Sequence, residues 1–184
     1  MRYGAPYADT LIPDSLIESS LDLVSDLYSG EIVKNGENKS SSKRDSLICG
    51  IHDRDLMANF MNIALAVNKH CAWDFKIDAL EPLQYGEYHE GQMYDWHTDQ
   101  HNVPDQNGRV RKFSFSVFLN NDYDGGEFDL ELSGPSSECR YKTFKDLKKN
   151  TAVFFHSHSW HRVRPVKSGV RKSLVGWVLG PKYQ

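Results

Sequence analysis

After residue 74 the sequence consists of short segments in which apolar and polar residues alternate, and this pattern constrains the fold more than any other feature. In RKFSFSVFLN (111–120) every second residue is a large apolar one, which is the period of a strand with one buried face. The glycine-rich turn at residues 124–126 precedes EFDLEL (127–132), which alternates in the same way. Four more segments are predicted as strands: EPLQYGEY (81–88), ECRYKTF (138–144), TAVFFH (151–156) and SLVGWVL (173–179).

Two amphipathic helices are predicted before these strands. In PDSLIESSLDLVSDLYSG (13–30), apolar residues recur at helical spacing, with Asp14 as the N-cap and Gly30 as the stop signal. In DRDLMANFMNIALAVNKH (53–70), the same spacing follows a capping Asp53. Each helix carries one apolar stripe, so we expect both to pack against a larger element.

Short strands with helices confined to the N-terminal part predict a mainly β fold with α: a double-stranded β-helix (jelly roll) with N-terminal helices packed on one outer face. A length of 184 residues without an internal repeat predicts one domain over residues 1–184. Within it we expect a helical N-terminal support over 1–74 and a jelly-roll core over 75–184. The polar segment NGENKSSSKRDS (35–46) has no periodicity and is predicted to be a mobile loop.

Composition excludes several classes of protein. The net charge of -3 gives no basic surface for nucleic acid. No apolar run approaches the length of a membrane span, and MRYGAPYADT at the N-terminus lacks the apolar core of a signal peptide, so we expect a cytoplasmic protein with no membrane contact. Cys49, Cys71 and Cys139 are widely spaced and odd in number, which predicts buried or inert thiols, not a disulfide framework or a zinc cluster.

The segment YHEGQMYDWHTDQHN (88–102) holds three histidines, two tyrosines, two aspartates and a glutamate. His97 and Asp99 are two residues apart, so on an extended backbone their side chains point the same way and can bind one ion. Alone this pair is weak evidence, because solvated polar pairs are common on protein surfaces. A metal site therefore needs a third ligand from another part of the chain.

The segment FFHSHSWHRVRPVKSGVRKS (154–173) offers three such ligands, His156, His158 and His161. Two histidines and one carboxylate form the facial triad of non-haem Fe(II) oxygenases, which leaves coordination positions open. The residue types alone do not decide which of the three histidines completes the triad. The remaining histidines are predicted to be surface or hydrogen-bonded residues: His52, His70, His89 and His101.

HTD (97–99) followed by HRVRPVKSGVR (161–171) resembles the iron- and 2-oxoglutarate-dependent dioxygenase superfamily. More narrowly, YHEGQMYDWHTD (88–99) resembles the prolyl 4-hydroxylase branch, in which a tyrosine, a glycine and a second tyrosine lead into His-x-Asp. The resemblance covers roughly residues 80–180.

In that family the distal histidine is followed ten residues later by the Arg or Lys that binds 2-oxoglutarate. Of the three candidate histidines, only His161 has a basic residue, Arg171, at this spacing. The resemblance therefore implies that His97, Asp99 and His161 are the catalytic residues and metal ligands. His156 and His158 are then assigned to the preceding strand and its turn.

The resemblance also implies a binding site for the co-substrate. Arg171 would bind the distal carboxylate of 2-oxoglutarate, since a guanidinium forms two parallel hydrogen bonds with a carboxylate and stays charged at any working pH. Tyr88 matches the family tyrosine that hydrogen-bonds 2-oxoglutarate, Trp177 matches a common pocket tryptophan, and Ser173 would assist at the same carboxylate. Tyr94 matches the second family tyrosine, which lies near the substrate.

The activity implied is hydroxylation of an unactivated C–H bond by a 2-oxoglutarate-dependent dioxygenase, with Fe(II), 2-oxoglutarate and O₂ as cofactor and co-substrates and ascorbate as a further cofactor. Succinate and CO₂ would be released. The prolyl 4-hydroxylase-like segment favours a proline within a protein or peptide as the substrate. We expect that chain to cross the mouth of the site beside Tyr94 and under the segment 35–46, which would act as a lid.

Several other functions stay open. The chain could oxidise a free amino acid or another small molecule, or it could be a non-catalytic metal-binding jelly-roll module or a zinc hydrolase. A nucleic-acid demethylase is disfavoured, because that branch carries a second Arg where this chain has Trp177. Arg162, Arg164 and Lys167 form a basic cluster that could attract an acidic partner or belong to a solvated turn.

Overall fold

The computed structural model describes residues 4–30, 32–34, 37–39, 43–100, 103–133 and 140–182. The helices in these ranges are α1 (Asp14–Leu21) and α2 (Arg54–His70). The strands are β1 (Tyr7–Leu11), β2 (Tyr28–Ser29), β3 (Ile32–Lys34), β4 (Glu37–Lys39), β5 (Arg44–Asp45), β6 (Leu47–Ile51), β7 (Ala79–Leu80), β8 (Leu83–Tyr88), β9 (Met93–His97), β10 (Arg109–Phe118), β11 (Asp124–Gly125), β12 (Phe128–Glu131), β13 (Tyr141–Phe144), β14 (Thr151–His156), β15 (His161–Val163), β16 (Val166–Ser168) and β17 (Arg171–Pro181).

Two antiparallel sheets dominate the fold. The larger sheet has the strand order β1-β14-β10-β17-β8-β6-β2, with β7 paired to β17. The smaller sheet has the order β13-β12-β15-β9-β5, and β11–β16 and β3–β4 form separate two-stranded pairs. Apart from β12 and β13, the paired neighbours in these two sheets are not consecutive in sequence, which is the connectivity of a jelly roll. The predicted fold class is confirmed.

The helices cover the outer face of the larger sheet. Phe113 and Phe115 on β10 point toward α2, and Phe60 of α2 stacks on Phe115 with ring centroids 5.4 Å apart. A second apolar cluster lies between the sheets, where Phe155 of β14 packs against Phe128 of β12. Strands β10 and β14 are therefore buried on both faces, and this burial fixes the register in which they pair.

Helix α2 is as predicted: Asp53 is its N-cap, and its carboxylate accepts a hydrogen bond from the Leu56 N–H at 2.8 Å. The prediction for α1 was wrong at both ends. Its N-cap is Pro13, and Asp14 lies in the first turn, where its carboxylate accepts a hydrogen bond from the Asn150 side chain at 2.7 Å. The helix ends at Leu21 because the chain beyond it pairs with the larger sheet through β2, although its apolar residues still pack on the same core.

The predicted helical support over residues 1–74 also contributes strands to both sheets. Strands β1, β2 and β6 extend the larger sheet, and β5 extends the smaller one. Residues 35, 36 and 40–42 of the predicted loop lie outside the described ranges, but the described part forms β4 and β5. The sequence does not predict these strands, because their residues show no apolar alternation. Hydrogen bonds to neighbouring strands, which are distant in sequence, hold them in the sheets. The assignment of residues 1–184 to one domain stays a prediction.

Other expectations concern single residues and the membrane. In the ranges described, no helix is long and apolar enough to cross a membrane. Cys49 and Cys71 are buried free thiols, whereas Cys139 lies outside the described residues. The remaining histidines agree with their prediction as far as they are described: His52 and His70 are exposed and His89 contacts Glu87, while His101 lies outside the described ranges.

Candidate active site

A cavity of about 550 Å³ opens between the two sheets. Both sheets contribute to its wall, the smaller one through His97 and His161 and the larger one through Arg171. These residues are buried or nearly so, and Asp99 joins them from the loop after β9. The cavity therefore brings the predicted metal ligands and the predicted anion-binding residue into one space.

Strand pairing places the two histidines side by side. His97 at the end of β9 is the direct cross-strand partner of His161 at the start of β15, and their ring centroids are 4.1 Å apart. Asp99 Oδ1 lies 3.9 Å from His97 Nε2, and Asp99 Oδ2 lies 3.5 Å from His161 Nε2. One ligand atom from each residue lies within 4.8 Å of the others, which fits a single divalent ion.

Main-chain carbonyls set the tautomer of both histidines. His97 Nδ1 lies 2.7 Å from the carbonyl oxygen of Asp95, and His161 Nδ1 lies 3.0 Å from that of Ser159. A carbonyl oxygen can only accept, so each Nδ1 carries the proton and donates it. Each Nε2 then keeps its lone pair for a metal, which is the usual way that the second contact of a ligand histidine orients it.

The charge states suit metal binding. Burial, together with repulsion from His161, lowers the pKa of His97 to about 3, so the imidazole is neutral at physiological pH. Burial alone would raise the pKa of Asp99, but the neighbouring His161, His97 and Arg111 outweigh it and hold that pKa below its usual value. Asp99 is therefore ionised, and its buried Oδ2 has no hydrogen-bond partner among the described residues, as expected for an oxygen that binds a cation.

Arg171 lies on the neighbouring wall, opposite Tyr88 in the pairing of β17 with β8. The side chain is 1% exposed, and its Nε and Nη2 have no hydrogen-bond partner among the described residues. The rings of Tyr88 and Phe118 lie 5.5 and 5.0 Å from its guanidinium carbon. A buried cation with free donors is costly unless it meets an anion, so this position fits a carboxylate.

The side chains beyond Arg171 on β17 follow the predicted alternation: Ser173, Val175 and Trp177 all line the cavity. The Trp177 indole nitrogen is buried and has no hydrogen-bond partner among the described residues. Tyr94 also lines the cavity and stacks on His97, with ring centroids 3.5 Å apart. Burial raises the pKa of Tyr94 to about 12, so its hydroxyl stays protonated.

Two histidines are not brought to the site. His156 points to the helix side of the larger sheet, between Trp73 and Phe75 at ring distances of 4.8 and 5.2 Å. His158 is exposed in the turn after β14. Neither belongs to the metal-capable group found among the described residues.

Sequence reasoning missed several residues of the cavity wall. Arg111 is the most prominent, since the alternation in β10 predicts that it shares the face of Phe113. Tyr94 is covered from β5 by Arg44, whose guanidinium carbon lies 4.9 Å from the tyrosine ring. The cavity is further lined by Tyr28, Lys43, Gln84, Trp96, Gln100 and Trp160. No spacing in the sequence marks these residues.

The basic cluster does not form a free cationic surface. Arg162 and Arg164 both donate hydrogen bonds to the fully buried carboxylate of Asp129, at 2.7 and 2.8 Å through their Nε atoms. Lys167 lies 3.9 Å from Asp124. The first two arginines therefore brace β12 against β15, the strand that begins with His161.

Comparisons with known proteins agree with this arrangement. A sequence model of the 2OG-Fe(II) oxygenase superfamily matches residues 83–179, just over half of the chain. A PKHD-type hydroxylase of Picosynechococcus sp. is 41% identical over 98 residues, which are 52% of this chain and 41% of that protein. The chain spans less than half the length of the curated relatives that it matches.

Solved structures show the same fold. A prolyl-4-hydroxylase of Pseudomonas putida superposes with a TM-score of 0.67 at 19% identity, covering 94% of this chain and 91% of that one. A prolyl hydroxylase in complex with a hypoxia inducible factor oxygen degradation domain peptide fragment, from Trichoplax adhaerens, superposes with a TM-score of 0.69 at 16% identity, covering 94% and 83% of the two chains. At these identities the likeness concerns the fold alone.

Proposed function

Because the chain belongs to the 2OG-Fe(II) oxygenase superfamily, we propose that it is an Fe(II)- and 2-oxoglutarate-dependent dioxygenase that hydroxylates a prolyl residue of a protein or peptide. The observation that carries the proposal is the juxtaposition in one cavity of a three-residue metal site and a buried arginine with free donors. A protein that only stores or senses a metal ion needs no anion-binding arginine beside it, and neither does a zinc hydrolase that uses bound water.

His97 Nε2, His161 Nε2 and the Asp99 carboxylate are the atoms that would hold Fe(II). Arg171 would bind the distal carboxylate of 2-oxoglutarate in a bidentate pair, with the Tyr88 hydroxyl as a second donor. When bound, iron and 2-oxoglutarate together with O₂ supply the oxidising chemistry that hydroxylates a C–H bond and yields succinate and CO₂. Ascorbate as a further cofactor stays a prediction.

The rest of the wall has supporting tasks. Ser173 and Trp177 would offer an O–H and an N–H to the co-substrate from the same strand as Arg171. Phe128 and Phe155 line the cavity with apolar surface, which excludes water and strengthens the electrostatic interactions inside it. Tyr94, stacked on His97, fixes the orientation of that ring and would border the substrate.

A peptide substrate is supported by the mouth of the cavity. Tyr28 on β2 and Arg44 on β5 border it, and these are the terminal strands of the two sheets among the described residues. We expect an extended polypeptide to lie across the cavity, whose lining includes the aromatic side chains of Tyr28, Trp96 and Trp160, which suit contact with a prolyl ring. The Trichoplax adhaerens neighbour was solved with a peptide, which favours the same class of substrate here.

Succinate formation tests the cofactor chemistry. The protein should convert 2-oxoglutarate to succinate only when Fe(II) is added, and Asp99→Ala should abolish this conversion. A metal-dependent hydrolysis without succinate would instead support a zinc hydrolase, and tight metal binding without any turnover would support a non-catalytic module.

Mass spectrometry tests the substrate. Peptides that contain proline are incubated with the protein, Fe(II) and 2-oxoglutarate, and a gain of one oxygen on proline is expected. Matched peptides with alanine in place of that proline are the control. If the peptides stay unmodified while a free amino acid or another small molecule is oxidised, the peptide assignment is wrong and the cofactor chemistry still stands.

A further inference from the structure

A β-bulge turns Arg111 into the cavity. In the pairing of β10 with β17, Phe113 lies opposite Val178 and Arg111 lies opposite Leu179, so one extra residue of β10 falls between them. The bulge reverses the alternation, and Arg111 therefore points to the same face as Trp177 while Phe113 points to the helices. Its side chain is only 12% exposed, which is low for an arginine at the rim of a site.

Each part of the Arg111 guanidinium contacts a different partner. Its Nε and Nη2 donate to the two carboxylate oxygens of Glu81, with Nε at 2.7 Å. Its Nη1 donates to the carbonyl oxygen of Asp99 at 3.3 Å. Its plane covers the Trp177 ring, with the guanidinium carbon 4.2 Å from the ring centroid. Three of the five N–H donors of Arg111 are therefore used within the protein.

Glu81 is itself fixed to the same strand that carries Trp177. Its main-chain N–H donates to the Trp177 carbonyl oxygen at 3.0 Å, directly after the pairing of β7 with β17. The loop that carries Asp99 is held from its other side, where Asp99 N–H and Gln100 N–H both donate to the Ser157 carbonyl oxygen at 2.9 Å. Arg111 is thus the side chain that links the Asp99 loop to β17.

We propose that Arg111, held by Glu81, is a positioning residue that fixes Asp99 and Trp177 relative to each other, so that one ion pair orients both a metal ligand and the wall of the co-substrate pocket. The contacts carry this inference, and it rests on the proposed function for the identity of the metal and the co-substrate. A planar guanidinium group is required at this position. One of its faces stacks on the indole of Trp177, while the N–H groups at its edge bind the Glu81 carboxylate and the Asp99 carbonyl oxygen at the same time. A lysine would keep the charge but could not make this set of contacts.

The chain contains a matched ion pair that lacks the contacts with the site. Arg109, also on β10, donates to Asp78 at 2.9 Å, and Asp78 N–H donates to the Leu179 carbonyl oxygen at 3.0 Å. The two pairs therefore join the same segments in the same manner. If Arg111 and Glu81 served only to stabilise the sheet, conservative changes in either pair would leave the metal affinity unchanged.

The test compares Arg111→Lys and Glu81→Gln with Arg109→Lys and Asp78→Asn. Co(II) affinity without 2-oxoglutarate is measured from the visible absorption of the bound ion, and Trp177 is observed by ¹⁹F NMR of protein that contains 5-fluorotryptophan, its signal assigned with Trp177→Phe. The first two variants should bind Co(II) about 10–100-fold more weakly, the range for partners that orient metal ligands, and should shift or broaden the Trp177 signal. The Arg109 and Asp78 variants should change neither.

Unchanged Co(II) affinity and an unchanged Trp177 signal in Arg111→Lys and Glu81→Gln would overturn the proposal, and so would equal effects in the Arg109 pair. Glu81→Gln keeps the size of the side chain and serves if Arg111→Lys fails to fold. Neither readout depends on turnover. If the unaltered protein forms no succinate while both readouts respond as expected, the proposed function fails and the positioning role of Arg111 stands.

Discussion

Replacing Arg171 by methionine should weaken co-substrate binding and stabilise the protein without ligand, two effects of opposite sign. The guanidinium is buried with two free nitrogens, and an unsatisfied buried donor costs about 1–3 kcal/mol. Methionine removes both donors and roughly keeps the volume, while the loss of the contacts with the Tyr88 and Phe118 rings costs about 0.5–1 kcal/mol each. Taken at the middle of these ranges, the net gain is about 2.5 kcal/mol, or roughly 5–10 °C in Tm for a chain of this size.

The same substitution removes one partner of the proposed charge pair with 2-oxoglutarate, which costs about 2–5 kcal/mol, or roughly a thirtyfold or greater loss of affinity. With Mn(II) in the metal site and 2-oxoglutarate at 100 times its Kd, the ligand should stabilise the unaltered protein by about 2.7 kcal/mol. A thirtyfold weaker variant gains only about 0.9 kcal/mol at that concentration.

Thermal unfolding with and without 2-oxoglutarate measures both effects in one experiment. Lys172→Met is the matched control, because Lys172 is adjacent on β17 but lies on the exposed side of the strand, and it should leave the ligand-induced shift unchanged. An Arg171→Met protein that is less stable than the original and keeps its full response to 2-oxoglutarate would refute the reasoning on both counts.

Three further outcomes are expected. His161→Ala should abolish Co(II) binding in calorimetry, whereas His158→Ala, at an exposed position, should leave it intact; the reverse pattern would make His158 the ligand. Asp129→Ala should destabilise the protein by about 3 kcal/mol in urea unfolding, because it leaves two arginines without their buried partner, and a loss below about 1 kcal/mol would contradict this. Burial lowers the pKa of His156 to about 4, whereas the pKa in the unfolded chain is about 6.5. As the pH drops, the unfolded state therefore binds a proton first, and the free energy of unfolding falls between pH 6.5 and pH 4. His156→Gln should remove about 1–2 kcal/mol of that loss after allowance for solvent screening; an unchanged difference between unfolding free energies at pH 7 and pH 4.5 would argue against it.

Much of the site follows from local spacing. The His97-x-Asp99 pair and the interval between His161 and Arg171 can each be recognised within one short segment of the chain. This is possible because the alternation of side chains along a strand is a local property. The resemblance to a known family supplied the assignment of His161 over its two neighbours. Among the described residues, His161 is the one of these three histidines that lies against Asp99.

Helix α1 and the segment 35–46 show where local reasoning fails. Apolar residues at helical spacing continue beyond Leu21 and are partly buried, but they pack without a helix because the chain is drawn into β2. Arg44 pairs with Tyr94 across β5 and β9, although nothing in its polar surroundings predicts a strand. In both places, hydrogen bonds to distant strands outweigh local propensity.

The sequence by itself determined the strand periods of the second half, helix α2 and the two short motifs that carry the metal-binding and anion-binding groups. Only the tertiary structure decided that His97 faces His161, that Tyr88 faces Arg171 and that a bulge turns Arg111 toward Trp177. The physical reason is that a strand specifies which of its residues share a face, whereas the register between strands far apart in sequence is set by packing on both faces of the sheet. The candidate active site lies where those registers meet.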